Sequence, residues 1–155
     1  MEYLIRNASE ADLDALEALE QACFSLPWTR EQLRGELPDE RHEFLVAAAP
    51  DGRVLGYIGM MTVLDEGYIS NVAVAPEVRR RGIGRALVRK MLRLAEQREL
   101  SFVTLEVRAH NDEAIALYAG EDFLPVGLRK DYYERPKEDA LLMTRFFNRQ
   151  KDEDK

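Results

Sequence analysis

The sequence predicts a single mixed α/β domain. Three observations carry that reading. Apolar residues switch between helical spacing and short β-branched runs in the order β α α β β β α β α β β. Asp51-Gly52 and Asp65-Glu66-Gly67 cut the middle of the chain into three consecutive strands, an antiparallel meander. A basic-faced amphipathic helix then follows a strand closed by Pro76, which reads as a crossover. The 155 residues suit one domain with a full-sized core. The expected domain is 1–147, with a frayed polar tail over 148–155.

The elements follow in order. Tyr3 to Arg6 reads as an opening strand. Ser9-Glu10-Ala11-Asp12 looks like a helix start, with Ser9 as cap and acids in the first turn. Leu13, Leu16, Leu19 and Cys23 continue it at near-helical spacing, and Pro27-Trp28 breaks it. Thr29-Arg30-Glu31-Gln32 is a capping box for a second, short helix. Phe44 to Ala49, Val54 to Val63 and Tyr68 to Val74 are the strands of the meander. After Gly84, Leu87, Met91, Leu94 and Ala95 share one helical face, with Arg85, Arg89, Lys90 and Arg93 largely opposite. Phe102 to Val107 is a β-branched strand. Asn111-Asp112-Glu113 caps a short helix holding Ile115, Leu117 and Tyr118. Extended segments over 123–133 and 139–147 close the domain.

Composition narrows the function classes. The formal net charge is -7, which argues against general nucleic-acid binding and suits a cationic partner. Cys23 is the only cysteine, so neither a disulfide framework nor a cysteine zinc cluster is expected. His42 and His110 form no metal-ligand motif, and no metal is expected. The start MEYLIRNASE lacks the basic end and apolar stretch of a signal peptide. No apolar run approaches the roughly 20 residues of a membrane span. The expectation is a cytoplasmic protein.

Against that acidic background, Arg79, Arg80 and Arg81 stand together before Gly82-Ile83-Gly84. A helix N-terminus offers unpaired N–H groups and a partial positive charge, and is a ready anion site. Glycines admit a ligand close to the backbone, and arginines add charge-assisted contacts to phosphate. The stretch therefore reads as a diphosphate cradle; the plainer alternative is a glycine turn with a solvated basic patch. A dinucleotide-binding fingerprint fits poorly, because Leu87 stands where its third glycine belongs. A Walker loop lacks its Gly-Lys-Ser/Thr.

Here the sequence resembles the GNAT acetyltransferases. Arg79 to Gly84 matches their acetyl-CoA loop, Gln/Arg-x-x-Gly-x-Gly/Ala, and Ile69 to Pro76 is similar to their central strand. Leu105 to Asn111 followed by Ala114 to Tyr118, together with Pro27-Trp28, Val63 to Glu66, Tyr132-Tyr133 and Glu138 to Ala140, resembles a narrower group. That group is the RimI-type bacterial N-terminal acetyltransferases, named for acetylating the alanine end of a ribosomal protein. One departure is visible: the family has glycine just before the phenylalanine that ends the short helix, and this chain has Asp122 before Phe123. Asp tolerates left-handed backbone better than most residues.

The resemblance implies a GNAT-like mixed sheet with a splayed central strand pair, and acetyl transfer from acetyl-CoA to an amine. It assigns Val72, Ala73 and Val74 to the pantetheine and thioester, and Arg79, Arg80, Arg81, Gly82, Ile83, Gly84 and Arg85 to the diphosphate. Asn111 is a helix cap by its position and a cofactor contact by resemblance. Glu106, an acid inside the apolar run FVTLEV, is implied as general base, and Tyr118 as the acid that protonates the leaving thiolate. Their plainer readings are an edge glutamate and a core tyrosine. Cys23 lies on the apolar face of the first helix with no basic partner nearby in sequence, so it reads as a buried structural thiol rather than a nucleophile. Pro27, Trp28, Glu66, Tyr132 and Tyr133 are implied to wall the peptide groove, although the aromatics also suit ordinary packing and Asp65-Glu66 a solvated turn. The implied acceptor is the N-terminal alanine of the eighteenth small-subunit ribosomal protein, with no direct nucleic-acid or membrane partner. Two rivals stay open: a lysine or small-molecule amine as acceptor, and an idle acyl-CoA-binding regulatory module.

Overall fold

The computed structural model describes residues 2–147; the tail expected at 148–155 lies outside the described residues. The fold is a single α/β domain of the GNAT type, with a mixed seven-stranded sheet in the order β1-β2-β3-β4-β5-β7-β6. Its strands are β1 (Leu4–Asn7), β2 (His42–Ala48), β3 (Val54–Val63), β4 (Glu66–Val74), β5 (Phe102–Arg108), β6 (Leu124–Glu134) and β7 (Lys137–Phe146). Its helices are α1 (Leu13–Cys23), α2 (Arg30–Gly35), α3 (Ile83–Gln97) and α4 (Asp112–Gly120). The chain falls into two compact units: residues up to Met61 with Ser70–Met91, and Thr62–Ile69 with the residues from Leu92 onward.

The first unit is the antiparallel part. β1 pairs with β2 and β2 with β3, both antiparallel. Five consecutive residues of β2, Phe44–Ala48, are buried, as expected of a strand covered on both faces. Phe44 stacks on Tyr57 with ring centroids 5.1 Å apart. Leu13, Leu16 and Leu19 of α1, Leu33 of α2 and Leu87 and Met91 of α3 complete this core. The capping box forms as expected: Gln32 N–H donates to Thr29 Oγ1 (3.2 Å) and Thr29 N–H to Gln32 Oε1 (2.9 Å). The first helix starts later than its sequence signal, because Glu10–Asp12 is a 3-10 turn and α1 begins at Leu13. There Asp12 accepts from Ser9 N–H and pairs with Arg6 at 2.8 Å, so its carboxyl is held below its ordinary pKa.

The second unit is built around β5. β4 and β5 pair in parallel from Glu66↔Phe102 to Tyr68↔Thr104, and both strands run on past that short ladder. This is the splayed pair that the resemblance implied. β5 pairs antiparallel with β7 over its whole length, and β7 with β6. β6 is the edge strand and almost wholly exposed. Val103, Leu105 and Val107 bury one face of β5, while Thr104, Glu106 and Arg108 alternate onto the other. Asp122 takes a left-handed backbone, at φ +68°, and pairs with Arg145 at 3.3 Å. Among the described residues, no helix is long and apolar enough to cross a membrane.

Gly56 sets the spacing of β3 against β4. A Cβ there would lie 2.8 Å from the carbonyl oxygen of Ala73 and 3.3 Å from Leu87 Cδ1. The backbone oxygen cannot swing aside as a side-chain tip could. Gly56→Ala is therefore expected to cost about 1–3 kcal/mol by overpacking, seen as a clear fall in thermal midpoint. A wild-type midpoint in that variant would contradict this packing.

Candidate active site

The anion loop belongs to the first unit. β4 ends at Val74, Pro76–Val78 forms a 3-10 turn, and the three arginines lead into α3. Arg80 and Gly82 take φ of +65° and +82°. An L-residue in that region costs about 1–2 kcal/mol, and such strain collects at ligand-binding loops. Nothing lies within 4 Å of where a Gly82 Cβ would sit. Gly82 C=O accepts from Ala86 N–H at 3.0 Å, the first turn of α3. The preceding N–H groups of that turn are those a helix leaves unpaired. The loop thus has the donors, the charge and the open backbone that a diphosphate needs.

Two details sharpen the sequence reading. Ile83 is buried in the core, so only its backbone is available to a ligand. Arg79 folds back: Nε donates to Val74 C=O (3.0 Å) and Nη2 to Cys23 Sγ (3.4 Å). Cys23 therefore does have a basic neighbour, which the sequence did not reveal. Burial nevertheless dominates and pushes its thiol above the ordinary cysteine value, against the pull of Arg79. The protonated, half-buried thiol fits a structural role and is a poor nucleophile.

The α1–α2 connection carries Pro27 and Trp28 in the same unit. Trp28 N–H donates to Glu20 Oε1 at 2.7 Å, and Asn71 Nδ2 donates to Glu20 Oε2 at 2.9 Å. Asn71 Nδ2 also reaches Tyr57 Oη at 2.9 Å. Glu20 is 1% exposed, a carboxyl on the apolar face of α1. Burial pushes it up to about 7, only partly opposed by the Trp28 hydrogen bond.

The second unit gathers Glu106 with three tyrosines, Tyr68, Tyr132 and Tyr133, and a fourth, Tyr118, neighbours Tyr133. The Glu106 side chain is 6% exposed. Tyr68 Oη donates to its Oε1 in a short hydrogen bond. Its Oε2 is buried without a hydrogen-bond partner, with Arg129 Nε 3.6 Å away. Burial first, then the Glu106 carboxylate, push Tyr68 and Tyr132 above the ordinary phenol value. The same two causes hold Tyr133 at about 12. Tyr132 and Tyr133 meet edge to face at 5.0 Å. Arg129 lies over the Tyr132 ring and Arg108 over the Tyr133 ring, 5.7 and 4.3 Å from the centroids. Tyr118, buried in α4 and edge-on to Phe123, is pushed up to about 12 by burial and then by neighbouring Tyr133. It therefore holds its proton through neutral pH.

Glu138 ties this cluster to the start of α4. It accepts from His110 N–H at 2.7 Å and pairs with Arg108 at 3.3 Å. Asn111 caps α4, accepting from Ala114 N–H at 3.2 Å, as its sequence position suggested. Asp65 is tied down rather than a free surface charge: Ser101 donates to its carboxylate through Oγ and to its backbone carbonyl through N–H. Glu66 is exposed at the start of β4, paired with Phe102. Sequence reasoning missed Tyr68, Arg129, Glu20 and Asn71. The signal for Glu20 was available, since it stands one helical turn beyond Leu16 on the apolar face.

The chain matches the acetyltransferase (GNAT) family over residues 13–121. It is 32% identical to the [ribosomal protein bS18]-alanine N-acetyltransferase of Escherichia coli K12 over 141 residues, covering 90% of this chain and 94% of that one. It is 37% identical to the N-alpha-acetyltransferase RimI of Mycobacterium tuberculosis over 123 residues, 77% of this chain and 75% of the relative. The crystal structure of the Escherichia coli ribosomal-protein-S18-alanine N-acetyltransferase superposes with a TM-score of 0.85, at 32% identity, over 92% of both chains. The chain therefore belongs to the GNAT acetyltransferase family, and within it is an acetyl-CoA-dependent N-acetyltransferase related to the bacterial RimI enzymes.

Proposed function

We propose that the protein is cytoplasmic and acetylates the α-amine of an N-terminal alanine, with the bS18 ribosomal-protein N-terminus as acceptor. The observation that carries this reading is the likeness to bS18-alanine N-acetyltransferases along nine-tenths of the chain. The aromatic surroundings of Glu106, with Tyr68, Tyr132 and Tyr133, support it. Acetyl-CoA supplies the activated acetyl thioester. Arg80 to Arg85, with the N-terminus of α3, hold its diphosphate, and the backbone of Val72–Val74 lies along its pantetheine. Asn111 contributes beside α4.

An α-amine has a pKa of about 8 and is mostly protonated at neutral pH. Glu106 takes that proton, directly or through one water, and Oε2 is the atom for the task because Oε1 is committed to Tyr68. The freed amine nitrogen bonds to the acetyl carbon as the carbon–sulfur bond breaks. Tyr118 gives its proton to the departing sulfur, and the second proton shed by the acylated nitrogen restores the phenol. Pro27, Trp28, Glu66, Tyr132 and Tyr133 receive the acceptor peptide. The domain that does this spans residues 1–147.

Three outcomes are expected. Glu106→Gln lowers turnover about 10²- to 10⁴-fold near neutral pH, recovers partly at higher pH, and leaves acetyl-CoA binding intact; wild-type turnover under chemistry-limited conditions contradicts the assignment. Acetyl-CoA raises the melting temperature of the wild type by mass action, and Gly82→Val loses most of that rise; an unchanged rise removes the loop from cofactor binding. A peptide with a free N-terminal alanine and internal lysines is acetylated at the α-amine alone, as read by site-localised mass spectrometry. Acetylation of the lysines with the α-amine left free supports a side-chain acceptor instead.

A further inference from the structure

Glu20 has no part in the chemistry above, yet it is the most deeply buried acidic side chain of the first unit. Among the described residues no cation lies within ion-pair distance of it. It accepts two neutral hydrogen bonds, from Trp28 N–H and Asn71 Nδ2, and Asn71 is braced in turn on Tyr57. A leucine would fill the same place on α1 without the cost of burying a charge, so packing does not explain the carboxyl. Its two oxygens do something leucine cannot. One fixes the backbone of Trp28 just before the Thr29 cap of α2, and the other fixes Asn71 on β4.

We infer that Glu20 is a positioning residue for the acceptor: it pins Trp28 to Asn71 and so sets the affinity for the peptide end without touching it. This rests on the reading of Trp28 as an acceptor contact. The two bonds need two acceptor oxygens. A carboxylate supplies both; a carboxylic acid turns one oxygen into a hydroxyl, a poorer acceptor. The pin therefore loosens on protonation.

The sign of the pH effect follows from the environment. Burial raises the folded-state pKa to about 7, above the ordinary carboxyl value. The group's contribution to stability is thus full below the ordinary value and is lost as pH rises through about 7. The pinned state is the less stable one, held where the carboxylate forms. The groups that face this network are Cys23 on α1, Tyr57 on β3, and Arg79 and Glu77 beyond β4, which act on Cys23. The Cys23 thiol is pushed up, away from neutrality.

The test uses a built-in probe, since Trp28 is the only tryptophan. In the wild type, its fluorescence should shift with a midpoint of about 7. In Glu20→Gln that transition should vanish. A transition that persists in Glu20→Gln belongs to another group, such as a histidine, and overturns the inference, as does a flat wild-type titration. With an N-terminal-alanine peptide, Glu20→Gln should raise the peptide KM on the order of 10-fold, the worth of one charge-assisted hydrogen bond, with acetyl-CoA KM unchanged. If Trp28→Ala raises the peptide KM but Glu20→Gln does not, the pin is refuted while the acceptor reading stands. If Trp28→Ala leaves the peptide KM unchanged, the acceptor reading fails and takes the affinity role with it, while fluorescence still judges the pin. Should Glu20→Gln not fold, Asn71→Ala cuts the pin from β4. The same rise in peptide KM is then expected, and a wild-type value overturns the proposal.

Discussion

A carboxylate buried in the middle of a strand is the constraint around which the second unit is arranged. Glu106 alternates onto the same face of β5 as Thr104 and Arg108. A buried charge must find donors or it will neutralise. Thr104 is matched with Thr144 at 2.9 Å, and Arg108 is spent on Glu138, the backbone carbonyl of Pro136 and the Tyr133 ring. Glu106 receives one strong donor, Tyr68, and a guanidinium just outside hydrogen-bond distance. One oxygen is thereby fixed and the other kept available. That asymmetry fits the proposed role of Glu106 as general base. Tyr118 is the proposed complement: burial, then Tyr133, raises its pKa so that the phenol stays protonated.

The element order was legible because local signals agreed with the global fold. Val54–Val63 was bounded by Asp51-Gly52 and Asp65-Glu66-Gly67, and the strand runs between those limits. Thr29 and Gln32 announced α2, and Asn111 announced α4. The start of α1 misled, since Ser9 and its acids belong to a 3-10 turn that precedes the helix. Asp122 showed the reverse: the residue that departs from the family pattern sits in the left-handed region, which an aspartate tolerates better than most residues.

Glu106 and Tyr118 were reached through resemblance to a family. Periodicity alone would have left one as an edge acid and the other as a core phenol. The partners that give Glu106 its character were not readable, because Tyr68 and Arg129 come from other strands. Sequence spacing cannot bring such residues together; only the strand registers do. Arg79 is a further case. It looked like one of three equivalent phosphate ligands, but the structure spends it on Val74 and Cys23, leaving Arg80 with the left-handed backbone beside Gly82.

The central claim is that Glu106 takes the proton from an α-amine. A crystal structure with a conjugate joining CoA, through the acetyl carbon, to the nitrogen of an alanine-starting peptide tests it most directly. The account predicts that nitrogen within about 3 Å of a Glu106 carboxylate oxygen, or linked to it by one water, with the Tyr118 hydroxyl in hydrogen-bond reach of the sulfur. A nitrogen with neither contact, beside a Glu106 still closed onto Tyr68 and Arg129, would contradict it.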